Sequence, residues 1–116
     1  MASFIDGFVV PIPNDNKQAY IEASKVYSAM AREYGAIRSV EYWGEDVPDG
    51  VTTSFPLAVK LEPGETVVFS WVEWPDKATR DTAGAKMRED PRMTSMKMPF
   101  DGKRMIFGGF GLLTEN

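Results

Sequence analysis

Residues 65–74, ETVVFSWVEW, form the most strongly β segment of the chain, with β-branched and aromatic side chains at seven of ten positions. Glu62-Pro63-Gly64-Glu65 precedes it with Pro and Gly in the two middle positions of a type II turn. Pro75 ends it, and Asp76 can cap a following helix over about 76–89, which Pro91 must break. The same grammar appears upstream. Residues 3–12, SFIDGFVVPI, read as a strand closed by Pro11 and Pro13, and Asn14 or Asp15 can cap the next helix. Ala19, Tyr20, Ala23, Val26, Tyr27, Met30, Ala31 and Tyr34 then recur every three or four residues as one helical stripe, stopped by Gly35.

Residues 36–44 give a second strand, and EDVPDG (45–50) is turn chemistry. Residues 51–61 read either as an extended arm or as a short extra strand, with Pro56 excluding a central one. A Met-rich irregular stretch leads through Asp101-Gly102 to a last strand at 103–111. The order β-α-β-β-α-β predicts an α+β, ferredoxin-like domain: a four-stranded antiparallel sheet with both helices on one face and strands one and three central. A chain of 116 residues and 13.0 kDa makes 1–116 a single domain with one real core.

Composition narrows the chemistry. There is no Cys and no His, so thiolate or imidazole nucleophiles, triads built on them and His-ligated haem are excluded. No metal site and no cofactor is expected. A net charge of −4 makes nucleic acid a poor partner. No run of eighteen apolar residues predicts a membrane span, and the first twelve residues lack the basic start and long apolar run of a signal peptide. The expected location is the cytoplasm, consistent with the absence of Cys.

The strand faces carry the main functional expectation. In the third strand Val67, Phe69, Trp71 and Glu73 share one face; in the first, Phe4, Asp6, Phe8 and Val10 share one. Small side chains suit a closely packed helix, so both bulky faces are assigned to the side away from the helices. Three Phe and one Trp there exceed what a monomer leaves in water. A second copy of the chain is the expected cover, its sheet packed on the first, each buried ring contributing on the order of 2 kcal/mol.

The runs IDGFVVPIP, VEYWGEDVPDG, ETVVFSWVEWPDKATRD, MREDPRM and MPFDGKRMIFGGF, spread from residue 5 to 110, resemble the uncharacterised bacterial YbaA-like family. That resemblance implies the fold of the dimeric α+β barrel superfamily. The superfamily includes cofactor-independent monooxygenases, muconolactone-isomerase-like enzymes, haem-degrading enzymes and members without known activity. It supplies no reaction and no catalytic residues for this chain.

On this reading Asp6 and Glu73 lie among Phe4, Phe8, Phe69 and Trp71 inside the barrel, where burial would raise a carboxyl pKa and suit it to proton transfer. The alternative is that each pairs with Lys103, Arg104 or Arg38, or lies at a wet strand end. Glu41, sharing a strand face with Trp43, is a third candidate. Trp71, Trp43, Phe69, Phe8 and Arg104 are the expected substrate-binding residues. Met87, Met93, Met96 and Met98 either line a plastic pocket or fill gaps. Tyr20, Tyr27 and Tyr34 read as core packing with a polar tip. Residues 80–104 carry net +3 and 41–76 net −7, and these segments are expected to complement each other within the dimer. The expected function is a homodimer holding a small organic molecule, with monooxygenase- or isomerase-like chemistry; the alternative is a non-catalytic dimeric module that binds a metabolite or partner.

Overall fold

The computed structural model describes residues 2–116. Strand β1 (Phe4–Pro13) passes through a 3-10 turn (Asn14–Asn16) into helix α1 (Lys17–Glu33), then β2 (Arg38–Trp43). A single-turn helix α2 (Phe55–Ala58) leads to β3 (Glu65–Trp74), α3 (Lys77–Glu89), a second single turn α4 (Pro91–Thr94) and β4 (Ile106–Gly111). The sheet is antiparallel throughout in the order β2-β3-β1-β4, as the ferredoxin-like pattern requires, and it is an open layer.

Local chemistry sets the element ends. Asp76 caps α3 by accepting from the Thr79 N–H at 2.7 Å. Asn14 does not cap α1; its Oδ1 accepts from the Thr66 hydroxyl and ties the end of β1 to β3. Gly35 ends α1 at φ 115°, and a Cβ there would lie 2.7 Å from Thr79 Cγ2, so both backbone and space require glycine. The segment 51–61 is neither an extra strand nor a free arm. Ser54 caps α2, and Val59 is buried against Val9 and Val67 on the side of the sheet away from the long helices. The last strand begins at Ile106 rather than 103, because Lys103 and Arg104 stay in the turn that Asp101 organises.

One assignment of faces is overturned. For β3 the expectation holds: Val68, Ser70, Val72 and Trp74 face the helices, and Val67, Phe69, Trp71 and Glu73 face away. For β1 it is reversed. Phe4, Phe8, Val10 and Ile12 pack under the helices, and Ile5, Gly7 and Val9 look outward. Complementarity, not size, decides: Phe4 packs in a cluster to which α1 and α3 bring the small Ala31 and Ala83 along with Met30 and Met87, while Ser70 leaves room for the tyrosines of α1. Gly109 belongs to the same fit, since a Cβ there would lie 2.6 Å from the Phe4 ring. Asp6 and Glu73 therefore stand on opposite faces of the sheet.

The domain is a slab of 38 × 37 × 20 Å. Its accessible surface is 7547 Å², against roughly 6,300 Å² for a compact monomer of this mass. The open face carries exposed aromatic rings. Tyr42, Phe69 and Phe110 are each about half exposed there. Phe69 stands between Phe55 and Trp71, with ring centroids 5.6 and 5.8 Å away, and Tyr42 meets Trp71 edge-on at 5.4 Å.

Candidate functional site

A cavity of about 270 Å³ lies on the helix side of the sheet, inside one chain. Its floor is the sheet row Glu41–Ser70–Phe8, aligned across β2, β3 and β1, with Val10 and Val72 beside it. Its wall is α1, which presents Tyr20, Ala23, Ser24 and Tyr27 at helical spacing onto one side. Its roof is α4, contributing Met93, and the irregular segment after it, contributing Met96, Met98, Phe100 and Met105. Unbranched thioethers shape such a roof without fixing it to one outline.

The roof is pinned at both ends. At its start Asp90 accepts from Arg92 Nη2 at 2.8 Å and from the Tyr34 hydroxyl at 2.8 Å, and Arg92 reaches Glu33 at 2.6 Å. These partners hold the Asp90 carboxyl well below the usual range, with Arg92 the main cause. At its end Arg104 makes a fork to Glu65 at 2.7 and 2.8 Å, bonds Asp101 at 3.1 Å and donates to the Lys60 carbonyl at 3.0 Å. Between the two pins Asn16 donates to the Pro99 carbonyl at 2.9 Å. Of the basic segment 80–104, Arg104 meets the acidic segment 41–76 within one chain, at Glu65 and Glu62, whereas Arg92 pairs with Asp90 and Glu33.

The cavity is apolar except at one end. There the Tyr20 hydroxyl donates to Glu41 Oε1, with the buried Ser70 at the same spot. Burial raises the Glu41 pKa, and the hydroxyls of Tyr20 and Ser70 oppose that rise. The Tyr20 phenol is pushed up, first by burial and then by the Glu41 charge. Tyr27 is pushed up to about 12 by burial and by the nearby charges of Asp6 and Glu41. Its hydroxyl bonds to no other group among the described residues. Glu41 is shared with a second, polar cleft of about 280 Å³ at the outer edge of β2, lined by Ser24, Lys25, Ser28, Arg32 and Ser39. One carboxyl thus borders an apolar chamber on one side and a polar cleft on the other.

Of the residues expected to be catalytic or substrate-binding, Glu41 and Phe8 come together in this cavity and the others do not line it. Asp6 is also on the helix face, but Arg80 from α3 closes on it at 2.8 and 3.1 Å and the Trp74 indole donates to it at 2.9 Å. It is a satisfied ion pair, with Arg80 also stacked on the Phe4 ring at 5.1 Å. Glu73 lies on the open face, accepting from Arg38 at 2.7 Å and from the Trp71 indole at 3.0 Å, so the ion-pair alternative describes it. Trp71 and Phe69 share that open face. Trp43 packs on the helix side against the Val10–Tyr20 cluster, with Lys17 above its ring at 4.6 Å. Arg104 is a roof anchor and does not line this cavity.

Met93, Met96 and Met98 line the pocket, whereas Met87 is core. Tyr20 and Tyr34 find partners for their tips, as core tyrosines do. Tyr27 does not, and the stripe alone could not show which of the three would differ. Ser70 was visible only as a small residue. No three His, Cys, Asp or Glu side chains gather as a metal site would need, and no helix is long and apolar enough to cross a membrane, among the described residues.

Comparison with known proteins leads to one family. A family model described as a protein of unknown function (DUF1428) matches residues 3–102. The uncharacterised protein YbaA of Escherichia coli (strain K12) is 54% identical over 109 residues, covering 92% of this chain and 93% of that protein. The uncharacterised YbaA of Shigella flexneri gives the same identity and coverage. With most of its length matched at that identity, the chain belongs to the DUF1428 family of proteins of unknown function.

Proposed function

We propose that this protein binds a small, mostly apolar organic molecule in the cavity under the methionine segment of each subunit, and that two subunits pair through their open sheet faces. The observation that supports binding is the cavity itself: an apolar recess with a single polar end beneath a pinned but adaptable roof. No lining side chain is cationic and Glu41 is a carboxylate, which disfavours an anionic ligand, and the apolar lining favours a neutral one. This site lies within one chain, whereas the sequence pointed to a chamber between two sheets.

Pairing is supported by the surplus of about 1,200 Å² over a compact monomer, more than the ~800 Å² that one partner of a standard interface buries. It is also supported by the half-exposed rings of Tyr42, Phe69 and Phe110 on one face. A chain without cysteine suits the cytoplasm, which we keep as its proposed compartment.

Methyl NMR tests the binding. Titration with 2-naphthol or 2-tetralone is expected to move the Met93, Met96, Met98 and Met105 ε-methyl signals saturably and to leave those of Met30 and Met87 in place. Unmoved signals for the roof methionines overturn the proposal. Light scattering tests the pairing: the wild type is expected at twice 13.0 kDa and Phe69→Asp at 13.0 kDa, whereas a wild-type particle of 13.0 kDa rejects it.

A further inference from the structure

We infer that the cavity is a proton-transfer site for a neutral cyclic ketone, in which the Glu41 carboxylate takes a proton from the carbon next to the carbonyl while the Tyr27 hydroxyl holds the carbonyl oxygen. This rests on the binding reading above and adds a reaction to it.

Three placements carry it. First, the cavity brings one acceptor and one unused donor into a single apolar space. Glu41 comes from the floor, and Tyr27, whose hydroxyl has no partner among the described residues, comes from the α1 wall. A ketone supplies what both lack: an acceptor oxygen for the phenol and a weakly acidic C–H for the carboxylate. An anionic ligand would meet the Glu41 charge with no lining cation to offset it.

Second, Tyr20 holds Glu41 Oε1 by donating its hydroxyl, so the carboxyl is aimed before any ligand arrives. Tyr20 is thus a positioning residue, and Glu41 and Tyr27 are the catalytic ones. Third, Glu41 also borders the polar cleft of Ser24, Lys25, Ser28, Arg32 and Ser39. A proton taken from the ligand can leave through that cleft to water.

The step balances without a further reactant. The C–H electron pair becomes the new C=C bond of the enolate, the carbonyl oxygen takes the negative charge beside the Tyr27 O–H, and the proton resides on Glu41. Return of a proton from Glu41 to the same carbon regenerates the ketone; return to a conjugated carbon isomerises it. A donor at a developing oxyanion and a positioned base both lower the barrier to such a step.

Deuterium incorporation into 2-tetralone, followed by NMR in D2O with the full-length protein, tests this. The wild type is expected to accelerate exchange at the carbons beside the carbonyl over buffer alone. Glu41→Gln, with roof-methionine shifts showing that the ketone still binds, is expected to lose about 100-fold or more of that rate. Tyr27→Phe is expected to lose about 100-fold in kcat with little change in KM.

Tyr20→Phe is expected to move the pH midpoint of exchange upward, because a hydroxyl that favours the Glu41 anion is lost. Ser70, Tyr27 and the cleft's Lys25 and Arg32, which also face or flank Glu41, remain unchanged in that variant. A purely structural role for Tyr20 would leave the midpoint in place. Binding of 2-tetralone without acceleration, or acceleration that survives Glu41→Gln, overturns the inference and leaves the binding proposal standing. Absence of roof-methionine shifts overturns both.

Discussion

Asp6 and Glu41 stand on the same face of the sheet in neighbouring rows, Asp6 beside Val72 and Glu41 beside Ser70. Both lie under α1, and both have a hydroxyl or indole donor within reach. They differ in one partner. Arg80 reaches from α3 and forks onto Asp6, while no cation bonds to Glu41 among the described residues. The difference teaches how one surface hosts both structure and chemistry. A carboxylate matched by a guanidinium is spent on holding α3 to the sheet. One held only by phenol and hydroxyl keeps a raised pKa and can still exchange its proton.

The largest effect should come from breaking the matched pair. Arg80→Ala leaves the Asp6 charge partly buried beside Trp74 with one donor instead of several. A loss of about 2–3 kcal/mol is expected in urea unfolding, with an unchanged m-value. A loss below about 0.5 kcal/mol would erase the distinction between the two sites.

The next effect concerns Asp90, another carboxylate with an arginine partner. Its pKa is depressed by folding, so its contribution is present above the ordinary carboxylate value of about 3.9 and fades as pH falls below it. Asp90→Asn should therefore melt below the wild type at pH 7, and the gap should close progressively in acid. An unchanged gap at pH 3 would show that the roof's first pin is not electrostatic.

The smallest effect, and opposite in sign, belongs to Glu41. Its pKa is raised by folding, so the stability its protonated form contributes is complete below about 4.3 and is lost as pH rises through the higher folded value. At pH 7 Glu41→Gln, which keeps an oxygen for Tyr20, is expected to be at least as stable as the wild type, by no more than about 0.5 kcal/mol. Clear destabilisation would place Glu41 with Asp6 as a structural group.

Much of the frame was legible in the linear chain. The stripe of α1, the cap of α3 at Asp76, the stop at Gly35 and the four strands follow from rules that act within a few residues. The candidate site was legible only in part. Glu41, Phe8 and three methionines stood out as residue types, but Asp6 and Glu73 stood out more, and the structure gives each of those two an arginine. Which carboxylate receives a cation depends on Arg80 and Arg38, 74 and 35 residues away, and no local pattern carries that information. Residues 51–61 failed for a related reason. Val59 has no local preference strong enough to show that it would seal Val9 and Val67.

By itself the sequence determined the order of strands and helices, the antiparallel sheet they form and the chemistry left open to a chain without cysteine or histidine. These depend on periodicity, turn residues and composition, all of which act over short range. Only the tertiary structure decided which face of β1 lies under the helices. Packing rewards complementarity between surfaces, so Phe4 and Phe8 went where α1 and α3 left space. That single choice put Asp6 and Glu73 on opposite faces of the sheet, and it left Glu41 as the cavity's one carboxylate, with no cation bonded to it among the described residues.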